Sequence, residues 1–161
     1  VVMTALLDAL KDKESFVCYA AAQALANFKD PAVMTALLDA LKDKNSDVRH
    51  AAAQALGNFK DPAVLPVLLD ALKDENSTVR FAAAQALANF KDPAVLPVLL
   101  DALKDENITV RFAAAQAFGN FKDPAVMTAL LDALNNNKGY VRFVVLESIE
   151  QIDLGSPLCP N

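Results

Sequence analysis

Histidine is almost missing from this sequence: in 161 residues it occurs once, as His50. A lone histidine with no serine or cysteine set beside it by any motif leaves acid–base or nucleophilic catalysis without a cast. Cysteine is scarce too. Cys18 and Cys159 have neither the spacing of a metal site nor the density of a disulfide framework, so a reducing, cytoplasmic setting is the expectation. Long apolar runs are absent. Gln, Asn, Asp, Lys or Arg interrupts each one well before the ~18 residues a membrane span needs, and no charged-then-apolar segment of the signal type opens the chain. Positive charge is in deficit, with 15 Lys and Arg against 20 Asp and Glu. A net charge of -5 offers no general attraction to nucleic acid or to an anionic membrane. No segment alternates apolar and polar residues as a half-buried strand does.

The sequence is rich in repetition. The tetrapeptide Asp-Pro-Ala-Val recurs with prolines at Pro31, Pro62, Pro93 and Pro124, 31 residues apart each time. Segments 62–92 and 93–123 differ only at Ser77/Ile108, Leu87/Phe118 and Ala88/Gly119. A fixed period of this length marks a stacked repeat architecture. Five repeats are expected, over 1–30, 31–61, 62–92, 93–123 and 124–154, followed by an irregular tail over 155–161. Opening partway through a repeat at Val1 is what a piece of a longer protein would do. A synthetic or recently duplicated array would show the same near-identity of its units.

Each repeat reads as two helices. In 62–92, Asp61 is placed to cap and Pro62 suits the first helical position, where its missing N–H costs nothing. Val64, Leu65, Leu68, Leu69 and Leu72 form an apolar stripe, and Pro66 is near enough to the first turn to be tolerated. Lys73-Asp74-Glu75-Asn76 breaks that stripe, and Ser77 or Thr78 is expected to cap the second helix. Val79, Ala83, Ala86, Leu87 and Phe90 make its stripe. The alanines favour helix and let neighbouring backbones approach. Phe28, Phe59, Phe90 and Phe121 form a column ending in Ile152 and are assigned to the core.

The pattern Asp-Pro-x-Val-x-x-x-Leu-Leu-x-Ala-Leu-x-Asp, then Val-Arg-x-Ala-Ala-x-x-Ala-Leu-Gly, resembles the short HEAT-like repeat of the phycobilisome-lyase type, from Val1 to about Leu154. The resemblance implies an all-α, right-handed α-solenoid of five two-helix repeats, with the second helices lining its concave surface. It also implies that the recurrent pairs Asp43/Arg49, Asp74/Arg80 and Asp105/Arg111 form a structural ladder of hydrogen bonds along the stack. Arginine's planar fork suits bridging carboxylates and carbonyls of adjacent repeats. Cys18 in place of Arg, and Asn136 in place of Asp, should interrupt the ladder at its two ends.

Removing the core from the second helices leaves one face, Asp47, His50, Gln54 and Asn58 in repeat two, spaced three, four and four apart. Down the repeats this face gives four columns. The first is Phe16, Asp47, Thr78, Thr109, Tyr140. The second is Tyr19, His50, Phe81, Phe112, Phe143. Gln23, Gln54, Gln85, Gln116, Glu147 form the third, and Asn27, Asn58, Asn89, Asn120, Gln151 the fourth. A ring in every repeat beside amides is the composition of a recognition surface. The alternative is that the rings fold down and pack between neighbouring helices. The candidate partner-binding residues are therefore Tyr19, His50, Phe81, Phe112 and Phe143, with Gln23, Gln54, Gln85, Gln116 and Asp47.

These features point to a non-catalytic scaffold that binds a protein partner, with no metal, cofactor, nucleic acid or membrane. No His-Glu pair is present, which sets the chain apart from deoxyhypusine hydroxylase, a related HEAT-like fold that binds two irons through such pairs. The columns carry little of the positive charge that HEAT-like DNA glycosylases need. The resemblance implies an alternative, a bilin-lyase subunit or phycobiliprotein-handling factor. An open-chain tetrapyrrole would then lie on the ring column, held at its polar edge by amides or Asp47.

Overall fold

The computed structural model describes residues 1–121 and 124–153. Asp123 at the start of the fifth repeat, the tail over 155–161 and Cys159 lie outside the described residues. Among the described residues the secondary structure is helical throughout. The first helices of the repeats are α1 (Val2–Ala9), α3 (Pro31–Ala40), α5 (Leu65–Ala71), α7 (Leu96–Ala102) and α9 (Pro124–Asn136). The second helices are α2 (Ser15–Leu25), α4 (Ser46–Gly57), α6 (Ser77–Leu87), α8 (Ile108–Phe118) and α10 (Gly139–Asp153). The architecture is the all-α, HEAT-type α-solenoid expected from the repeat. By contact the chain divides into two compact units, Val1–Phe90 and Lys91–Asn161.

Within the first unit α1 packs on α2, α3 on α4 and α5 on α6, while α2, α4 and α6 pack on one another in order. Within the second, α7 packs on α8, α9 on α10, and α8 on α10. The core is the predicted pair of stripes. Val33, Leu37, Leu68, Leu99 and Leu130 on the first helices, and Val64 and Val95 in the turns just before α5 and α7, are fully buried, as are Leu56, Leu87 and Phe118 on the second. Each such side chain contributes about 1.5–3 kcal/mol on burial. Ala51–Ala53, Ala82–Ala84 and Ala113–Ala115 are buried as well, so within each unit neighbouring second helices pack closely through small side chains. Phe90, Phe121 and Ile152 are in the core as assigned, whereas Phe28 and Phe59 are half-buried.

Local chemistry sets the helix starts. Asp30, Asp61 and Asp92 each accept a hydrogen bond from the backbone N–H two residues on, at 2.8–2.9 Å. The predicted caps Ser77 and Thr78 are displaced: Asn76 is the cap, accepting from Thr78 N at 2.9 Å, and Ser77 is the first helical residue. Asn45 and Asn107 do the same. An asparagine oxygen two residues back reaches the N–H that a serine already inside the helix cannot. Pro66 and Pro97 have a larger effect than simple tolerance. Thr35 holds their position in α3, where the helix is continuous and Met34 N bonds Asp30 O four residues back. Proline has no N–H to return. Pro62–Val64 and Pro93–Val95 therefore tighten into 3-10 turns, with Leu65 N bonding Pro62 O only three back, before α5 and α7 begin.

Candidate functional site

The arginine ladder fixes the second helices and so positions the face they present. Arg49 donates from Nε and Nη2 to both carboxylate oxygens of Asp74 in the next repeat, at 2.8 and 2.9 Å. Its Nη1 donates to the carbonyls of Asp43 and Lys44 in its own repeat. The guanidinium thus ties a loop to itself and to its neighbour, and it is 9% exposed. The hydrogen bond to Asp74 is the main cause holding Arg49 above its ordinary pKa, against the opposing pull of burial. Burial by itself raises the Asp74 carboxyl; the bonds from Arg49 and from Asn76 N outweigh it and leave Asp74 below the usual carboxylate range. Arg80 repeats the inner half, donating Nη1 to the carbonyls of Asp74 and Glu75.

The ladder's ends differ from the expectation. Asn136 does not end it, because Asn137 takes over: Arg111 Nε donates to Asn137 Oδ1 at 3.0 Å. The reason is that α9 runs on through Asn136, whose amide turns back to Asp132 O, and this moves the acceptor position one residue along. α10 then starts at Gly139, whose φ of +59° suits glycine, without the asparagine cap used in repeats two to four. At the other end Cys18 keeps only the inner half. Its thiol donates to Asp12 O at 3.1 Å, and among the described residues no bond from it corresponds to the one Arg49 makes to the next repeat. Burial, then the charges of Asp12 and Asp43, push that thiol's pKa up.

On the face of the first unit the predicted residues come together around α2 and α4. Tyr19 stacks on His50, centroids 6.0 Å apart and planes at 19°. Gln23 Nε2 donates to Tyr19 Oη at 2.8 Å and reaches Gln54 Oε1 at 3.4 Å. His50 Nδ1 lies 2.9 Å from Thr78 O. A carbonyl oxygen only accepts, so the Nδ1 proton is fixed there and the tautomer with it. Gln23, Ala26, Gln54, Ala55 and Asn58 line a groove of about 310 Å³ between these helices. Asp47 is exposed in the first turn of α4. Phe81 and Gln85 are half-buried, and Asn89 Nδ2 donates to Gly57 O at 3.2 Å.

In the second unit the face is made of rings. Phe112 stacks on Tyr140 at 5.4 Å and 13°, and Tyr140 on Phe143 at 5.9 Å and 12°. The three are one near-parallel stack. Phe112 is half-buried, Tyr140 is 65% and Phe143 51% exposed, and Gln116 is exposed. Tyr140 stood outside the predicted ring column. Its spacing of three from Phe143 puts both on one helical face, and that is the signal that finds it. The rings thus neither stand apart as isolated anchors nor all fold down; in both units some stack on rings of a neighbouring helix while retaining exposed surface.

A larger hollow of about 500 Å³ lies between α1 and α3, bordered by Asp8, Asp12, Asp39 and Asp43. Among the described residues no three His, Cys, Asp or Glu side chains gather as a metal site. No helix among them is long and apolar enough to cross a membrane.

Comparison with known proteins decides the family. The model of HEAT repeats matches over residues 3–88 and 65–150. The chain belongs to the HEAT repeat family. Among solved structures it is similar to the complex of CpcE and CpcF of phycocyanin lyase from Nostoc sp. PCC7120, with a TM-score of 0.80 and 22% identity, covering 96% of this chain and 66% of that one. It is also similar to YibA of Escherichia coli, with a TM-score of 0.74 at 22% identity and coverage of 94% and 62%. An engineered protein gives 0.66 at 23% identity and coverage of 94% and 79%. At these identities the likeness is one of fold, and the HEAT chain spans just under two thirds of the lyase chain and of YibA. No curated protein sequence matches it.

Proposed function

We propose that this HEAT chain is a non-catalytic scaffold whose second-helix face binds a protein partner. HEAT repeats generally mediate protein binding. The observation that carries the reading is the amide groove on α2 and α4. Gln54 and Asn58 are exposed there beside the Tyr19–His50 stack, offering both donors and acceptors on a rigid helical support. The non-catalytic part is supported by the groups present. They are amides and rings, and the one histidine has its Nδ1 engaged by a backbone carbonyl. The test is affinity capture with Gln54→Lys/Asn58→Lys beside a first-helix control, Thr35→Lys/Asp39→Lys. A partner held by wild type and control but lost from the face variant supports the reading; the reverse pattern moves the site to the first helices.

A second reading, binding of an open-chain tetrapyrrole, is favoured by the fold's likeness to the phycocyanin lyase complex. The Tyr19–His50 stack would support the flat conjugated system, with Gln54 or Asp47 at its polar edge. Mixing the protein with a bilin tests it. An unchanged visible spectrum removes the reading.

A further inference from the structure

The second-helix face changes character in the fifth repeat at two places, one on each side of Phe143. Three residues before it, Tyr140 stands where repeats two to four have Asp47, Thr78 and Thr109. Four residues after it, Glu147 stands where every other repeat has glutamine: Gln23, Gln54, Gln85 and Gln116. Spacings of three and four put all three on one face of α10. The Phe112–Tyr140–Phe143 stack therefore ends on a half-exposed ring with a carboxylate one turn beyond it.

Among the described residues that carboxylate has no cation of its own. Glu147 is exposed, and no ion pair reaches it among the described residues. Arg142, the basic residue on α10, sits about 100° round the helix from Phe143, at the ladder position of Arg49. Lys138 precedes the helix at the Tyr140 end, and Glu147 lies about 10 Å further along the axis than Tyr140.

We propose that Phe143 and Glu147 form an arginine-binding site for a basic segment of a partner protein. The partner's guanidinium lies on the free face of Phe143, continuing the near-parallel stack. Its N–H groups reach the Glu147 carboxylate. Planarity favours arginine over lysine here, since a flat, weakly hydrated cation stacks on a ring and presents a fork to a carboxylate at once. This rests on the reading that a protein partner lies on the second-helix face, and it names the chemistry of one anchor. Repeat one is the internal control. Phe16 and Tyr19 give it two rings at the same spacing, with Gln23 in place of the acid.

The probe is the capped peptide Gly-Ser-Arg-Ser-Gly, titrated at low salt into the 161-residue chain with aromatic side-chain shifts followed by NMR. Its twin carries citrulline, which keeps the shape and removes the charge. The arginine peptide should shift Tyr140 and Phe143 at least about threefold more than the citrulline peptide does, and leave Phe16 and Tyr19 nearly still. Glu147→Gln, a substitution at an exposed position, should bring the arginine response down to the citrulline level. Equal responses to the two peptides, equal shifts at repeat one, or a response untouched by Glu147→Gln would each overturn the proposal. The capture experiment with Gln54 and Asn58 is independent. Loss of the arginine site with that capture intact leaves the scaffold reading standing, and the converse result separates the two the other way.

Discussion

The two compact units have cores of the same kind and differ in their faces. Leu68 in the first and Leu99 in the second are the same residue in the same repeat position, each fully buried. Outward, the first unit presents a groove of glutamine and asparagine beside a Tyr19–His50 pair, and the second presents three stacked rings. The packing between second helices differs as well. Gly57 lets α4 come so close to α6 that an added Cβ would sit 2.7 Å from Ala86 Cβ and 2.8 Å from its Cα. At the equivalent Gly119 the obstacle is only the mobile end of Gln151. What the comparison teaches is that a repeat holds constant what its neighbours must pack against. Residues that face solvent are released from that demand and free to diverge.

The largest effects should test the likeness of the two cores. Leu68→Ala and Leu99→Ala should each cost about 2–5 kcal/mol, and by nearly equal amounts in denaturant titration. Costs differing by more than about 1 kcal/mol would break the claim that the cores are equivalent.

The ladder should separate the units. Arg49→Ala leaves the Asp74 carboxylate without its two strongest donors, for about 1–3 kcal/mol. Arg111→Ala removes donors only from neutral acceptors, the Asn137 amide and the carbonyls of Asp105 and Glu106, and should cost less. The pair also carries a pH signature. The Asp74 pKa is lowered on folding, so the stability it contributes is present above the ordinary value of 3.8 and is lost as pH falls below that toward the depressed folded value. Acid denaturation of Asp74→Asn should show a shallower slope in that window than wild type; an identical slope would place the acid sensitivity elsewhere.

The glycines give the smallest and sharpest contrast. Gly57→Ala should destabilise by about 1–2 kcal/mol, as overpacking against the Ala86 backbone outweighs the gain in helix propensity. Gly119→Ala should be neutral or stabilise by up to about 1 kcal/mol, since Gln151 can move aside. Equal thermal shifts for the two would show that α4–α6 and α8–α10 approach alike.

The aspartate caps, both apolar stripes and the amide face were legible from residue type and spacing, because each depends on contacts within one or two helical turns. The caps at Asn45, Asn76 and Asn107 were less so. Asn, Ser and Thr are all competent caps, and the choice turned on where the helix begins to within one residue. Tyr140 was visible in its column, but not as the middle of a stack, since that depends on how near α8 lies to α10.

Taken alone, the sequence determined the 31-residue period, the helical class and the buried stripes. A 31-residue period with helical spacing inside it admits few other solutions. Tertiary structure decided which acceptor each ladder arginine reaches, and so that Arg49 pairs with the next repeat's Asp74 and takes only a carbonyl from Asp43. It also decided that Asn137 replaces Asn136, and that the rings stack in a pair and a triple. Apart from Tyr140–Phe143 within α10, these contacts join residues roughly one repeat apart, and their geometry follows from the distance between neighbouring helices, which the side chains buried between them set and no local pattern encodes.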